Sequence, residues 1–202
     1  MQWNFVNIYK ILFPPTDDEK MLEKQTLDTF TQKLRITHIN DTLALLSFKD
    51  PAVRSAIHLN KFHGHAYAQQ LLSHVLYMWL HTYVDTPYIV IPIPLSKQRL
   101  RTRGFNQSQV IAERALKNIP TIPIVDKVLI RTKNTPPQTS LQKEARMQNM
   151  QEAFIVKDGK QLQDKHVILF DDVVTTGATL HSAKNALMLH SPASVTCVAL
   201  AH

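Results

Sequence analysis

The residues in this sequence best suited to chemistry are two adjacent aspartates followed by a short threonine-rich turn. Asp171 and Asp172 come directly after four apolar residues, and the turn leads into a segment with helical spacing. Backbone N–H groups at the start of a helix favour an anion, because they lack intrahelical acceptors and lie at the positive end of the helix dipole. Consecutive amides, three hydroxyls and a glycine that permits close approach therefore predict a phosphate site at Thr175, Thr176, Gly177, Ala178 and Thr179.

The acid pair predicts that the bound phosphate belongs to a sugar. Two carboxylates at the end of a strand can each accept a hydrogen bond from one of two neighbouring hydroxyls, as an acid does with ribose in dinucleotide sites. Adjacent carboxylates also repel each other. The less favoured alternative is therefore a purely structural role, in which the acids end a strand and an ordinary turn follows. Asp171, Asp172 and residues 175–179 together predict a ribose 5-phosphate pocket.

The elements around these residues favour a doubly wound, mainly parallel α/β sheet flanked by helices, because apolar strands alternate with helical segments. Ligands bind at the carboxyl ends of the strands in such sheets. Residues 1–40 are expected to form a small N-terminal helical or hood segment, and residues 41–202 the main domain. We expect strands at Asp41–Phe48, Tyr88–Leu95, Ile124–Ile130, His166–Phe170 and Ser194–Leu200, and helices at Lys20–Leu34, Pro51–Phe62, Ala66–Thr82, Gln107–Leu116 and Thr179–His190.

Two basic segments offer places for further phosphate groups. Pro94–Gln107 is expected to be a basic loop that enters a helix, and Arg131–Ala153 is long, polar and without clear period. Arginine can hold phosphate oxygens with two parallel hydrogen bonds, and a long loop that closes over a site excludes water. A solvated basic loop is the alternative for the first segment. The phosphate-binding candidates are Lys97, Arg101, Arg103, Gly104, Asn106, Arg131, Gln138 and Arg146.

The composition limits the class of protein. There are 23 Lys and Arg against 16 Asp and Glu, which gives a formal charge of +7. This balance suits nucleic acid or a phosphorylated small molecule, although many basic proteins bind neither. No run approaches the roughly 18 apolar residues of a membrane span, and the first residues lack the features of a signal peptide. The single Cys197 cannot form an internal disulfide, so a cytoplasmic location is expected.

Several of these segments resemble known proteins. Val167–Thr179 (VILFDDVVTTGAT) resembles the phosphoribosyl-pyrophosphate signature of type I phosphoribosyltransferases. The blocks KDPAVRSAIHLNKFHG, VIPIPL, RGFNQ and IRTKNTPPQTSLQKEARMQNMQEAF resemble, in the same order, those of the ComF (competence protein F) family. The resemblance extends from about Phe48 to Ala201 and implies a type I phosphoribosyltransferase fold.

The resemblance also implies a ligand and a role. The ligand is phosphoribosyl pyrophosphate or a related phosphorylated ribose, with Mg²⁺ near Asp171 and Asp172 and the pyrophosphate held by the basic segments. The role is in natural transformation, with single-stranded DNA and competence or helicase proteins as partners. Two alternatives stay open: an active phosphoribosyltransferase of nucleotide metabolism, and a module that senses the donor without turnover. No catalytic residue is identified, because the acceptor is unknown.

One part of the chain departs from the family pattern. ComF proteins usually carry a four-cysteine zinc module after a short apolar segment and a proline. Ile11–Pro15 matches the lead-in, but residues 16–25 (TDDEKMLEKQ) contain no cysteine. We therefore expect residues 1–40 to be a degenerate remnant without structural zinc. The spacing of His58, His63 and His65 fits no standard metal site.

Overall fold

The computed structural model describes residues 14–83, 87–132 and 153–202. The helices are α1 (Asp17–Glu23), α2 (Leu27–Thr31), α3 (Pro51–His63), α4 (Ala66–Leu80), α5 (Lys97–Arg103), α6 (Gln107–Leu116) and α7 (Ala178–Met188). The strands are β1 (Thr37–Ile39), β2 (Thr42–Leu46), β3 (Tyr88–Pro92), β4 (Leu129–Arg131), β5 (Phe154–Val156), β6 (His166–Val173) and β7 (Ser194–Ala201). Short 3₁₀ turns lie at His81–Tyr83 and Gly159–Leu162.

The main sheet has the strand order β1-β2-β7-β6-β3. Strands β2, β7, β6 and β3 are parallel, and β1 pairs with β2 in an antiparallel hairpin. Strands β4 and β5 form a separate antiparallel pair. The predicted mainly parallel α/β architecture is therefore confirmed. Strand β6 lies in the interior of the sheet, carries the acid pair near its carboxyl end and leads into the phosphate turn.

The sequences of the central strands are continuous apolar runs, because both faces of the sheet are buried. Alternate side chains of a strand point to opposite faces. Ile168 and Phe170 pack into one core with helices α3, α4 and α6, whereas Val167 and Leu169 pack into a second core with α7 and the β4–β5 pair. Leu22 of α1 and Phe30 of α2 are also buried in the first core. The end of β6 is thus fixed by packing on both sides.

Several expected boundaries were wrong. Ile124–Ile130 is not one strand: Ile124 makes an isolated parallel bridge to Val90, and the chain then passes exposed Asp126 and Lys127 before β4 pairs with β5 in the other sheet. Lys20–Leu34 is not one helix, because Thr26 accepts a hydrogen bond from the backbone N–H of Thr29 and starts a new helix.

The basic segment is also not a loop. The Ser96 side chain accepts from the backbone N–H of Arg99 and begins α5, which ends at Gly104 with φ of 78°. A glycine in this left-handed conformation is a common helix terminator. The positive charges at residues 97–103 therefore lie on a short helix that contributes no buried residue to the core.

Within the described ranges, no helix is long and apolar enough to cross a membrane.

Candidate functional site

The turn between β6 and α7 forms a small pocket. Its lining comprises Asp171 and residues 173–180, and its volume is about 40 Å³. Gly177 precedes the first helical residue and has φ of 76°, which a residue with a Cβ adopts only at a cost. The helix that follows has 11 residues, so its unpaired first amides and its dipole both act at this pocket. The geometry suits a group of the size and charge of phosphate.

The acid pair lies beside this pocket. The Ser108 hydroxyl donates to Oδ1 of Asp171 at 3.0 Å, and the backbone N–H of Asp172 donates to the same oxygen at 2.9 Å. Asp172 is 7% exposed, and its Oδ1 accepts from the backbone N–H of Val173 at 2.9 Å. Its Oδ2 is buried and has no hydrogen-bond partner within the described residues. A buried carboxylate oxygen without a partner is costly, so this atom fits a ligand hydroxyl or a cation.

Burial and mutual repulsion make it unfavourable for both carboxyl groups to be ionised without a positively charged partner. Burial raises the pKa of Asp171 above its usual range, and the negative charge of Asp172 raises it further. Hydrogen bonds from the backbone N–H of Asp172 and from Ser108 oppose the rise without cancelling it. A proton, a metal ion or a nearby cation is therefore favoured at this position.

Arg103 and Arg131 supply positive charge near the acids, and Arg99 interacts with both of these arginines. Burial lowers the pKa of the Arg103 guanidinium, while the charges of Asp172 and Asp171 oppose that change. Burial also lowers the pKa of Arg131, and the positive charge of Arg99 lowers it further. The negative charge of Asp171 opposes both effects. Arg99 and Arg103 come from α5 and Arg131 from the end of β4. The fold thus brings Arg103 of α5 and Arg131, the first residue of the second basic segment, into electrostatic interaction with the acid pair.

The remaining candidates have different places. Lys97 and Arg101 are exposed on α5, and Gly104 ends that helix. The Asn106 side chain is used within the protein, since its Nδ2 donates to the carbonyl of Ile93 at 3.0 Å and its Oδ1 accepts from the first amides of α6. Gln138 and Arg146 lie outside the described residues. Arg103 and Arg131 are therefore the two basic candidates that the structure brings to the acids.

Sequence reasoning missed Ser108 and the β1–β2 hairpin. Ser108 is almost fully buried two residues after the N-cap of α6, which is what points its hydroxyl at Asp171. In the hairpin, Asn40 donates from its side-chain amide to the carbonyl of Thr176, and Asp41 pairs with Lys184 of α7 at 3.0 Å. The local sequence around either place carries no signal of these contacts, because the partners are distant in the chain.

Comparison with known proteins defines the class. The family described as "Phosphoribosyl transferase domain" matches residues 102–202, which is half of the chain. The chain therefore belongs to this family. The match includes α6, the acid pair and the phosphate turn, and it agrees with the mainly parallel sheet.

Individual relatives narrow the assignment to the ComF group. Competence protein F from Haemophilus influenzae is 31% identical over 133 residues, covering 63% of this chain and 58% of that protein. Competence protein ComFC from Bacillus subtilis is 37% identical over 106 residues, covering 52% and 40%. DNA utilization protein YhgH from Escherichia coli K12 is 29% identical over 150 residues, covering 72% and 65%. These relatives confirm the ComF family resemblance, and the chain aligns with less than two thirds of the length of each.

Solved structures show a weaker similarity. A hypoxanthine phosphoribosyltransferase from Staphylococcus aureus aligns with a TM-score of 0.42 at 16% identity, covering 65% of this chain and 63% of that one. The fold assignment rests on the family match and on the sheet topology, and this similarity adds nothing to it.

Proposed function

We propose that the pocket between β6 and α7 binds the ribose 5-phosphate part of phosphoribosyl pyrophosphate. The observation that carries this proposal is the buried Oδ2 of Asp172, which has no partner among the described residues. The adjacent Asp171 lines a small pocket at the start of α7. A ribose hydroxyl would supply the missing hydrogen bond. The 5-phosphate would accept from the backbone amides of residues 175–179.

The surrounding charges support the pyrophosphate half of the same ligand. Arg99, Arg103 and Arg131 interact electrostatically with one another or with the acid pair. Each guanidinium group would donate two parallel hydrogen bonds to pyrophosphate oxygens. Asp171 and Asp172 would hold Mg²⁺ that enters with the donor, and its divalent charge would offset the repulsion between the two carboxylates.

Transfer of the phosphoribosyl group is a second candidate. In such a reaction the bond from the anomeric carbon to pyrophosphate breaks, positive charge develops on the ribose, and a nitrogen of the acceptor forms a bond to the same carbon and releases its proton to solvent. Asp171 and Asp172 would stabilise that charge from beside the ring, and the arginines would stabilise the departing pyrophosphate. No residue is proposed as a general base, and a module that binds the donor without turnover would use the same contacts.

We further propose that the protein acts in the uptake or use of DNA. The similar proteins carry the names competence protein and DNA utilization protein. The formal charge of +7 and the exposed cations of α5 supply the attraction to phosphates that strand binding requires. Single-stranded DNA would be the direct partner, with competence or helicase proteins as further partners.

Titration with phosphoribosyl pyrophosphate, with and without Mg²⁺, tests the donor site. The double variant Asp171→Asn/Asp172→Asn replaces both carboxyl groups by neutral amides and keeps the shape of the side chains. We expect it to bind the donor at least about tenfold more weakly, since charge-assisted hydrogen bonds contribute about 1.5–3 kcal/mol each. Asp164→Asn is the matched control, because Asp164 is exposed and its φ of 58° also suits asparagine. Equal affinity in the double variant and the control would contradict the proposal.

Release of pyrophosphate, measured with a panel of nitrogenous bases, separates transfer from binding. A donor that binds without release favours the sensing module, whereas release that depends on one base identifies the acceptor.

A further inference from the structure

Four hydrogen bonds connect the end of strand β3 to Asp171 through the start of helix α6. The backbone N–H of Ile93 donates to the carbonyl of Phe170, the residue before Asp171, at 2.8 Å. The carbonyl of Ile93 accepts from Nδ2 of Asn106 at 3.0 Å, and Oδ1 of Asn106 accepts from the backbone N–H of Ser108 at 3.1 Å. The Ser108 hydroxyl then donates to Oδ1 of Asp171 at 3.0 Å. Together these bonds form the α6 link, which starts and ends on neighbouring residues of β6.

The position of Asn106 in the α6 link requires a donor and an acceptor on one side chain. Asn106 is the N-cap of α6, where its Oδ1 accepts from the first amides of the helix. Serine, threonine or aspartate can cap a helix in the same way. An aspartate, however, has no donor for the Ile93 carbonyl, and the single side-chain oxygen of a serine cannot lie at both places. The carboxamide thus joins the start of α6 to the end of β3 and fixes where Ser108 lies relative to β6.

The Ser108 hydroxyl is held by a helix that is itself fixed in the core. Ser108 is 1% exposed and lies in the first turn of α6. In the next turn, Ile111 and Ala112 are fully buried in the first core. Because protein cores are close-packed, this helix has little freedom to move. The hydroxyl therefore meets Asp171 from a fixed direction.

Two donors hold the carboxyl group of Asp171. Its Oδ1 accepts from the Ser108 hydroxyl and, at 2.9 Å, from the backbone N–H of Asp172. The torsion that rotates a carboxyl group is broad when nothing restrains it, and hydrogen bonds weaken when their angles depart from linear. Donors from two elements on one oxygen therefore restrict the rotation of the group. A group ordered before binding does not have to be ordered by the ligand, which favours affinity.

We propose that Asn106 and Ser108 are positioning residues, which hold Asp171 in the orientation that binds a sugar hydroxyl. Ser108 acts through Asp171, and Asn106 acts through Ser108, without contact between either residue and the ligand. The basic segment Pro94–Gln107 thus ends in residues that orient an acid, and Asn106 is not one of its phosphate ligands. The inference rests on the proposed ribose 5-phosphate site and adds how the sugar half of that site is ordered.

Two ligands separate the sugar half of the site from the phosphate half. Ribose 5-phosphate would use the acid pair and the phosphate turn, whereas inorganic phosphate would use the turn alone. We expect Ser108→Ala to bind ribose 5-phosphate about threefold to tenfold more weakly, the equivalent of one lost hydrogen bond, with unchanged affinity for phosphate. The ratio of the two affinities is the diagnostic quantity, because a general loss of stability does not weaken one ligand alone.

Ser73→Ala is the matched control for this measurement. Ser73 is also a buried helical serine, 7% exposed, and its hydroxyl donates to the carbonyl of Gln70 on α4 at 3.1 Å. We expect it to keep the wild-type ratio of affinities. Equal ratios in Ser108→Ala and Ser73→Ala overturn the proposal.

Further variants show whether the hydrogen bond or the volume of the side chain matters. Ser108→Cys keeps the size of the side chain but has only a weak donor, so we expect the same loss as in Ser108→Ala. Ser108→Thr keeps the hydroxyl and should retain the wild-type ratio, and the cysteine variant decides the question if the added methyl group destabilises the fold. Asn106→Ser keeps a helix cap without the bond to Ile93, and it should change the ratio in the same direction as Ser108→Ala. A wild-type ratio in Ser108→Cys overturns the proposal.

A double-mutant cycle tests whether Ser108 acts through Asp171. In an Asp171→Ala background no carboxyl group is left to orient, so Ser108→Ala should change neither affinity further. A further loss of ribose 5-phosphate binding in that background overturns the proposed route. Wild-type protein that binds phosphate without preferring ribose 5-phosphate contradicts the sugar site and this inference with it. A wild-type preference that survives in Ser108→Ala contradicts the inference alone.

Discussion

The side-chain amide of Asn40 donates a hydrogen bond to the backbone carbonyl of Thr176 at 3.2 Å, and so joins the β1–β2 hairpin to the phosphate turn. Asn40 occupies the left-handed region with φ of 55°. Because a peptide unit is planar and trans, its C=O and N–H point in opposite directions. Fixing the Thr176 carbonyl toward Asn40 therefore points the N–H of Gly177 away from the hairpin, where we expect the phosphate. Asn40 acts as a positioning residue for this amide.

Replacing Asn40 by glycine tests this relationship. Asn40→Gly permits the left-handed backbone and removes only the amide, so the hairpin should persist. We expect donor affinity to fall by about threefold to tenfold, the equivalent of one lost hydrogen bond. Ser191→Gly is the matched control, because Ser191 is exposed and has φ of 52°. Calorimetric titration with phosphoribosyl pyrophosphate gives the comparison, and equal affinities in the two variants would show that the hairpin does not orient the turn.

Gly177 is the residue at which a methyl group should harm the phosphate site most directly. An added Cβ would have room, since its nearest neighbours are 3.8 Å away, but φ of 76° strains any side chain. We expect Gly177→Ala to cost about 1–2 kcal/mol of folding free energy and to reduce donor affinity at least about tenfold by changing the turn. Thermal unfolding and donor titration measure the two effects.

Gly64→Ala separates backbone strain from ligand binding. Gly64 has φ of 59° and ends α3, outside the phosphate pocket. We expect a comparable loss of stability with unchanged donor affinity. A Gly64 variant that loses the donor as fully as Gly177→Ala would mean that general destabilisation, not the turn, explains the loss.

The parts of this site that could be predicted from sequence are those built from neighbouring residues. The acid pair, the phosphate turn and the helix after it lie within Val167–Thr179, so one local pattern describes them all. Ser108 and Asn40 reach the site only through tertiary packing. Their neighbours in the chain resemble an ordinary helix start and a hairpin turn.

The errors in the fold have the same origin. The apolar run Ile124–Ile130 has the composition of a buried strand, yet the chain leaves the main sheet after one bridge and pairs with β5 instead. Which sheet a short apolar run joins depends on its partners, and β-structure is more sensitive to such context than helices are. The helix α5 was missed because its signals, a serine N-cap and a terminal glycine, enclose only seven residues.

The raised pKa of Asp171 predicts an effect on stability as well as on binding. A carboxyl whose pKa is higher in the folded state holds its proton more firmly there, so stability falls as pH rises from the unfolded pKa toward the folded pKa. Asp171→Asn removes this penalty, and its oxygen can still accept from Ser108. We expect the ligand-free variant to be more stable near pH 8, by about 1 kcal/mol, than wild type.

The pH dependence is the diagnostic part of that prediction. The pKa of Asp171 is raised to about 8 in the folded protein, so the folded carboxyl already holds its proton below that pH. The difference in melting temperature between Asp171→Asn and wild type should therefore shrink toward zero as the pH falls to about 4 and below, where the carboxyl of the unfolded chain is protonated as well. Asp164→Asn, at an exposed position, should show no such trend. A pH-independent difference would mean that the acid is not held under electrostatic strain.

The exposed face of α5 predicts how single-stranded DNA should bind. Lys97 and Arg101 are one helical turn apart and both exposed, so they can contact neighbouring phosphates. Binding by such contacts weakens as salt rises, with a slope of about 0.7 per phosphate contact for single strands. Lys97→Ala/Arg101→Ala should therefore weaken binding for all sequences alike and reduce the salt slope by about 1.4.

Arg114→Ala/Lys117→Ala is the matched control, since it removes one arginine and one lysine from exposed positions at the end of α6. Fluorescence anisotropy of a labelled oligonucleotide at several salt concentrations gives the slopes. Donor affinity measured in the same variants separates a contact with DNA from one with pyrophosphate, because only the latter lowers donor binding. If both double variants reduce the slope equally, overall charge and not the α5 face attracts the strand.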